Sequence, residues 1–226
     1  MSKMKKVVIT EFGDESKLAI VEADLPEPGA GEVQLSAEYS IVSGSDVNMR
    51  RGTYPFQKKA PLTPGYSVLG KVRVNGKGCS KFKVGDHVAC LSKYEGQAEL
   101  INLPERFLVR VPEGVDLKAA VALVLDWVTA YQMLHHVAHI KSGQKIFVHG
   151  LSGAVGGALL SLGRIQGAQV FAGAADRVDA RLHPECGASI QEPGLCKFGR
   201  PICQSMQVRN STWITLRREL NVVCLA

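Results

Sequence analysis

Residues 145–177, KIFVHGLSGAVGGALLSLGRIQGAQVFAGAADR, limit the fold of this chain more than any other segment. The run KIFVHG is short, apolar and partly β-branched, which is typical of a strand buried in a parallel sheet. Gly150, Gly153 and Gly156 follow it at intervals of three, and a helical pattern begins among them. The segment therefore predicts a βαβ unit, with strands over 145–150 and 169–174 and a helix over 154–166.

The glycines of this turn suit a dinucleotide phosphate. Without side chains they let the backbone turn tightly and let a pyrophosphate approach the N–H groups at the helix N-terminus, where the helix dipole favours an anion. The spacing differs from the common G-x-G-x-x-G, so a turn made only for tight packing is the alternative; the flanking strands favour the nucleotide site. The residues predicted to bind it here are Gly150, Ser152, Gly153, Ala154, Val155 and Gly156.

Composition places the 226-residue chain, with 46% hydrophobic and 21% charged residues, among ordinary globular proteins. It has no run of 18 apolar residues, and MSKMKKVVITEFG lacks the apolar stretch of a signal peptide, so we expect a cytoplasmic protein. Six cysteines without paired spacing predict free thiols rather than disulfides.

The net charge of +6 does not indicate nucleic-acid binding. Residues 191–226 hold five basic and two acidic side chains, so half of the excess lies in this tail. The rest of the chain has no basic helix and no alternation of basic and aromatic residues. The tail has no amphipathic pattern, so we expect neither a nucleic-acid nor a membrane partner.

The patterns along the chain predict three regions. Residues 1–115 contain short alternating runs between Gly and Pro turns, which indicate an antiparallel β domain. Residues 116–190 form the second region, in which 116–139 fit a helical period with a break near Asp126 and the βαβ unit over 145–174 follows. Residues 191–226 form an atypical tail with weak patterns, in which 212–225 could form one strand or a short helix, or which could be disordered. The predicted fold class is α/β.

Six segments together resemble the medium-chain dehydrogenase/reductase superfamily, in its zinc-free quinone oxidoreductase branch related to zeta-crystallin. The resemblance implies a GroES-like β-barrel catalytic domain followed by a Rossmann domain, a doubly wound parallel sheet that is incomplete here because nothing after about residue 190 resembles the family's continuation. The segments are SGSDVNMRRGTYP (43–55), PLTPGYSVLGKV (61–72), KVGDHVACL (83–91), GQAEL (96–100), VTAYQML (128–134) and VHGLSGAVGGALL (148–160).

No catalytic zinc is expected. Where the alcohol dehydrogenase branch carries its ligands, this chain has residues 43–46 (SGSD) and 64–67 (PGYS), and hydroxyls are poor substitutes for Cys and His. Two weak alternatives remain: His135 with His139 at helical spacing, and His87 with Cys90.

The resemblance implies three catalytic candidates. Asn48 and Tyr54 stand in the implied active-site wall, and Thr129 matches a threonine near the nicotinamide. Ser45 is a further possible donor, and Tyr66 is expected to be structural. The family has Asn where Ser43 stands, and often Tyr at position 48. Packing is the alternative role for Tyr54 and Thr129.

The end of the second βαβ strand favours NADPH over NADH. An acidic residue there binds the ribose hydroxyls of NAD, whereas a 2′-phosphate needs a basic group. Ala174 stands about where the acid would lie, and Arg177 follows. The alternative is that Asp176 caps a helix and Arg177 lies on the surface.

The expected activity is zinc-independent hydride transfer from NADPH to a quinone, an enone or a similar small electrophile. The alternative is a truncated, inactive remnant, kept as a binding module or arising from an altered reading frame. A homodimer is possible, although the family's usual dimer edge is not recognisable in the tail.

Overall fold

The computed structural model describes residues 2–25, 27–151, 153–173, 213–217 and 220–224. The chain forms two compact units, residues 1–125 and 126–226. The predicted limits 1–115, 116–190 and 191–226 remain a prediction.

The first unit consists mainly of antiparallel strands, as the alternating runs predict. One sheet pairs β1 with β2, and a five-stranded sheet has the order β6-β3-β4-β5-β7. The strands are β1 (Ser2–Ile9), β2 (Leu18–Leu25), β3 (Glu32–Ile41), β4 (Ser67–Asn75), β5 (His87–Leu91), β6 (Leu100–Pro104) and β7 (Val109–Arg110). Single turns of 3₁₀ helix lie at Glu15–Lys17 and Glu105–Phe107.

The larger sheet of the first unit is buried on both faces. Because successive side chains of a strand point to opposite faces, Val68 and Val88 belong to the principal core cluster, whereas Leu69 and Ala89 belong to a second one. The principal cluster contains Val33, Leu35, Val68, Val72, Phe82, Val88, Cys90, Ile101, Leu103 and Leu108.

A short helix, α1 (Gly44–Arg51), interrupts this β unit, for which the sequence patterns indicated an antiparallel β domain without a helix. Ser43 and Asp46 form a capping box at its start, and Gly52, with a φ of 75°, ends it. The signal was present as a Ser three residues before an Asp, but these eight residues, with Val47 and Met49 as their only large apolar side chains, have no hydrophobic period to reveal a helix.

A long helical segment follows, as predicted for 116–139. It consists of α2 (Leu117–Ala122), a π-helical turn (Leu123–Trp127), α3 (Val128–Tyr131) and a second π-helical turn (Gln132–Val137). The break expected near Asp126 is this first π-helical turn. The segment is long and apolar enough to span a membrane. However, Ala130, Met133 and Leu134 are buried in the protein core, and the core helix of a globular protein passes the same test.

The second unit contains the predicted βαβ arrangement. Strand β8 (Lys145–His149), helix α4 (Ala154–Ile165) and strand β9 (Gln169–Gly173) occur in this order, and β8 and β9 are parallel. Ile146, Val148, Ala158 and Leu159 join residues of the preceding helix in one core cluster.

The tail contributes two strands to this sheet, instead of the single strand or short helix considered from sequence. Strands β10 (Trp213–Arg217) and β11 (Leu220–Cys224) are antiparallel to each other, and β11 pairs with β8 in parallel. The sheet order is β10-β11-β8-β9. The pairing of β11 with β8 could not be predicted from local patterns, because the two strands are far apart in the sequence.

Candidate functional site

The glycine turn of the second unit lies between β8 and α4, where the βαβ prediction placed it. Gly150 has a φ of 78°, and its carbonyl accepts a hydrogen bond from the N–H of Gly153 at 3.1 Å. Gly153 is the N-cap of α4 and has no side chain to cap the helix. The N-cap residue therefore offers no side-chain acceptor to the first N–H groups of α4, which belong to Ala154, Val155 and Gly156.

Gly156 is needed for the close approach of helix and turn. A Cβ at this position would lie 2.3 Å from the carbonyl oxygen of Gly150 and 2.8 Å from the Cα of Leu151. By contrast, a Cβ at Gly157 would meet nothing within 4 Å. The turn thus presents bare backbone at a helix N-terminus, which suits an anionic phosphate.

Not all residues predicted to bind the cofactor lie within the described part of the chain. Ser152, Ala174 and Arg177 lie outside it, so their roles remain sequence predictions. Thr129 is half-buried on α3, next to Ala130, which packs in the same core cluster as Leu159 of α4. The helix that carries Thr129 therefore shares a core with the helix that begins at the glycine turn.

In the first unit, Asp46 joins the two segments that the resemblance equates with zinc-ligand positions. It is only 4% exposed. One carboxylate oxygen accepts hydrogen bonds from the N–H and Oγ of Ser43, at 2.9 and 2.7 Å, and the other accepts the N–H of Gly65 at 2.9 Å. Three hydrogen-bond donors therefore satisfy this carboxylate. They offset the cost of burying a polar group, which is high when the group has no partners.

Residues 92–97 hold the segment 63–66 from its other side. The Oγ of Ser92 donates to the carbonyl of Gly65 at 2.7 Å. Backbone N–H groups of Ser92, Glu95 and Gln97 donate to the carbonyls of Tyr66, Thr63 and Pro64, each at 3.0 Å. The backbone just before β4 is thus fixed on two sides.

Three tyrosines gather beside these segments. Tyr54, Tyr66 and Tyr94 pack against the buried residues Ile9, Met49 and Leu62. The Oη atoms of Tyr54 and Tyr66 lie 2.7 Å apart, and the rings meet edge to face with centroids 5.9 Å apart. Burial, and then the hydrogen bond with Tyr54, raise the pKa of Tyr66 well above its usual value, so its hydroxyl stays protonated at neutral pH.

Two lysines flank the same tyrosines. The Nζ of Lys93 lies 5.5 Å from the ring centroid of Tyr94 and 5.8 Å from that of Tyr54. The Nζ of Lys58 lies 4.7 Å from the Tyr94 ring. Lys93 has a φ of 66°, a conformation uncommon for residues other than glycine. The hydroxyl pair of Tyr54 and Tyr66, with Lys93 over the Tyr54 ring, combines hydrogen-bond donors with positive charge and therefore suits an oxygen that gains negative charge.

The other candidates in the first unit are less suited to act as donors. Ser45 Oγ is 2.5 Å from Ser43 Oγ, so it already has a hydrogen-bond partner. The side chain of Asn48 is exposed on α1. Sequence reasoning included Tyr54 but treated Tyr66 as structural and missed Lys93, because nothing in the local sequence brings residues 54, 66 and 93 together.

The alternative metal pairs have other partners. The Nδ1 of His139 lies 3.0 Å from the carbonyl of His135, and the Nε2 of His87 lies 3.1 Å from Glu38. Cys90 packs in the sheet core instead, where burial raises its pKa to about 11. Among the described residues, no three His, Cys, Asp or Glu side chains form a group that could hold a metal ion.

Comparisons with known proteins show which family this chain resembles. The family profile for the alcohol dehydrogenase GroES-like domain matches residues 29–113. Human synaptic vesicle membrane protein VAT-1 homolog-like is 31% identical over 160 residues, and rat quinone oxidoreductase is 31% identical over 187 residues. The chain belongs to the medium-chain dehydrogenase/reductase superfamily. Within it, the chain is similar to the quinone oxidoreductase branch.

The aligned regions cover 71% of this chain and 38% of the VAT-1 homolog-like protein, and 82% of this chain and 57% of the quinone oxidoreductase. The chain therefore spans about half the length of these curated relatives.

Solved structures agree with the fold as well. The human VAT-1 homolog-like crystal structure has a TM-score of 0.77 at 29% identity, covering 81% of this chain and 59% of that one. A mycobacterial structure complexed with NADPH has a TM-score of 0.74 at 29% identity, covering 82% and 57%. These values support the two-domain α/β assignment made from sequence.

Proposed function

We propose that this protein is an oxidoreductase that transfers hydride from NADPH to a quinone, an enone or a similar small electrophile, without zinc. The observation that carries this proposal is the glycine turn. Its backbone is bare where α4 begins, and Gly156 is packed so closely on Gly150 that no side chain fits there. The similarity to quinone oxidoreductases, to an enoyl reductase and to a structure complexed with NADPH supports it.

The residues present fit a dinucleotide. The N–H groups of Ala154, Val155 and Gly156 would hold its phosphates, and the first turn of α4 supplies the favourable dipole. By the resemblance, Thr129 would lie near the nicotinamide. NADPH, when bound, supplies the hydride, and the protein binds and orients the reactants.

The first unit would supply the polar groups for the substrate. When hydride adds to a quinone or to the β-carbon of an enone, an electron pair moves to a carbonyl oxygen, which then needs a hydrogen-bond donor or a proton. Tyr54 is the best candidate, because its hydroxyl lies in a cluster with positive charge nearby. The substrate proposed is a small uncharged electrophile.

Turnover with purified protein tests this proposal. We expect NADPH oxidation with a simple quinone or enone, and we expect the rate to survive dialysis against a metal chelator. Binding of NADPH without turnover of any electrophile would instead fit the binding module considered from sequence. Loss of the activity on chelation, with recovery on adding zinc, would contradict the zinc-independent mechanism.

Cofactor choice can be tested at Arg177. If this residue binds the 2′-phosphate, Arg177→Glu should weaken NADPH binding at least tenfold, because a carboxylate repels the phosphate. NADH binding should change little, because a carboxylate accepts hydrogen bonds from the ribose hydroxyls. Calorimetry with both nucleotides measures this. A variant that keeps the NADPH affinity of the natural chain would refute the role given to Arg177.

A further inference from the structure

The contact between Tyr54 and Tyr66 places two hydroxyls where only one can donate to the other. At an Oη to Oη distance of 2.7 Å, one phenol donates to its partner, and the O–H of the partner remains for a third group. The pair therefore offers one outward hydrogen-bond donor.

Both phenols are held in place from their backbones. The Tyr66 carbonyl accepts from Ser92 N–H at 3.0 Å, and the Gly65 N–H beside it binds Asp46. The Tyr54 N–H donates to Gln57 Oε1 at 3.1 Å, and Gln57 Nε2 donates in turn to the Met49 carbonyl at 3.2 Å. A site whose donors are fixed in advance needs little reorganisation when charge develops.

Burial and the nearby charge distinguish the two phenols. Lys93 lies over the rings of Tyr54 and Tyr94, and among the described residues no carboxylate lies within ion-pair distance of its Nζ. Burial and the hydrogen bond with Tyr54 raise the pKa of Tyr66 and so favour its protonated form. Tyr66 is thus the phenol suited to donate to the Tyr54 Oη at 2.7 Å.

We propose that Tyr66 is a positioning residue for Tyr54: its hydroxyl donates to Tyr54 Oη and directs the Tyr54 O–H toward the substrate oxygen that becomes negative on reduction. This inference rests on the proposed function. The hydride adds to the electrophilic carbon, and the displaced electron pair moves to the carbonyl oxygen, which takes the Tyr54 proton. The resulting Tyr54 oxyanion is stabilised by the Tyr66 O–H and by Lys93, and water returns the proton.

Binding of an oxyanion mimic tests this without any turnover. The probe is 4-nitrophenolate, titrated by absorbance into the full chain and into Tyr54→Phe, Tyr66→Phe and the double variant. Each substitution keeps the ring and removes only the hydroxyl, so packing is retained. Tyr94→Phe is the matched control. It also removes a tyrosine hydroxyl, but the Oη of Tyr94 accepts a hydrogen bond from the Lys58 N–H and takes no part in the contact between Tyr54 and Tyr66.

We expect Tyr54→Phe to weaken probe binding at least tenfold and Tyr66→Phe about three- to tenfold. The double variant should bind like Tyr54→Phe alone, because Tyr66 acts through Tyr54. Tyr94→Phe should bind like the natural chain. Binding of nitrobenzene, which has no oxyanion, should not change in any variant, which separates a hydrogen-bond effect from a packing effect.

Three results would overturn the inference: no probe binding to the natural chain, natural affinity in Tyr66→Phe, or additive losses in the double variant. Failure of the proposed function has a different signature. A chain that binds the probe in the expected order, but neither binds nor oxidises NADPH, would refute the oxidoreductase and leave the relation between Tyr66 and Tyr54 intact.

Discussion

Single side chains hold the candidate site of the first unit together. Asp46 is buried, yet each of its carboxylate oxygens accepts hydrogen bonds, from Ser43 and from Gly65. The resemblance identified these segments as positions without zinc ligands. It could not show that a carboxylate joins them, because the contact depends on how the chain folds between residues 46 and 65.

Cys90 provides a residue-scale test of the core. Burial raises the pKa of its thiol to about 11, whereas a thiol in an unfolded chain has a pKa of about 8.5. The neutral thiol therefore contributes fully to the free energy of unfolding at a pH below the pKa of the unfolded chain. This contribution is lost as the pH rises toward the pKa of the folded protein. We expect the free energy of unfolding to fall by up to about 3 kcal/mol more in the natural chain than in Cys90→Ala between these limits.

Urea unfolding measured at steps from neutral to alkaline pH checks this expectation. Other groups that titrate over this range, including Tyr66, affect both proteins alike, so the difference between them isolates Cys90. Parallel pH profiles for the two proteins would show that the thiol is not buried as the structure has it.

At the scale of elements, the contact between residues 63–66 and 92–97 shapes the first unit. Gly65 has a φ of 120°, and a Cβ there would lie 2.4 Å from the backbone N of Gln97 and 2.6 Å from Gly96 Cα. Two backbones therefore meet at a point where no side chain fits. Because this segment carries Tyr66, the contact also positions the tyrosine pair.

Gly65→Ala should separate these backbones and destabilise the protein by roughly 3 kcal/mol or more, because both the positive φ and the steric clash oppose a side chain. Gly78→Ala is the matched control: its φ is also positive, at 86°, but a Cβ there meets nothing within 4 Å. We expect it to cost about 1 kcal/mol. Chemical denaturation measures both, and equal costs would contradict the close contact.

Local apolar patterns predicted the elements of the βαβ unit. Strand β8, helix α4 and strand β9 lie within a residue of their predicted limits, because short apolar runs indicate buried parallel strands and a helical pattern follows the glycines. Helix α1 was missed because it is short and polar, and the strands of the tail because β11 pairs with the distant β8.

At the scale of the whole molecule, the two units carry different parts of the proposed chemistry. The first holds the tyrosine, lysine and aspartate contacts, and the second holds the glycine turn. Motifs within one segment, such as the turn, could be predicted because local backbone requirements determine them. Tyr66 and Lys93 could not, because their roles depend on contacts between distant segments.

Calorimetric titration of NADPH into the natural chain, Gly156→Ala and Gly157→Ala tests the central claim most directly. Both glycines lie in the first turns of α4, but only Gly156 is packed against the Gly150 carbonyl. We expect the natural chain to bind with a dissociation constant in roughly the micromolar range. Gly156→Ala should weaken binding at least tenfold, because its Cβ displaces the turn from the helix.

Gly157→Ala should keep the natural affinity and stabilise the helix by about 0.5–1 kcal/mol. Thermal unfolding of both variants separates a local effect on the turn from loss of the fold. The absence of binding to the natural chain at millimolar NADPH, or equal affinities for the natural chain and Gly156→Ala, would contradict the dinucleotide site.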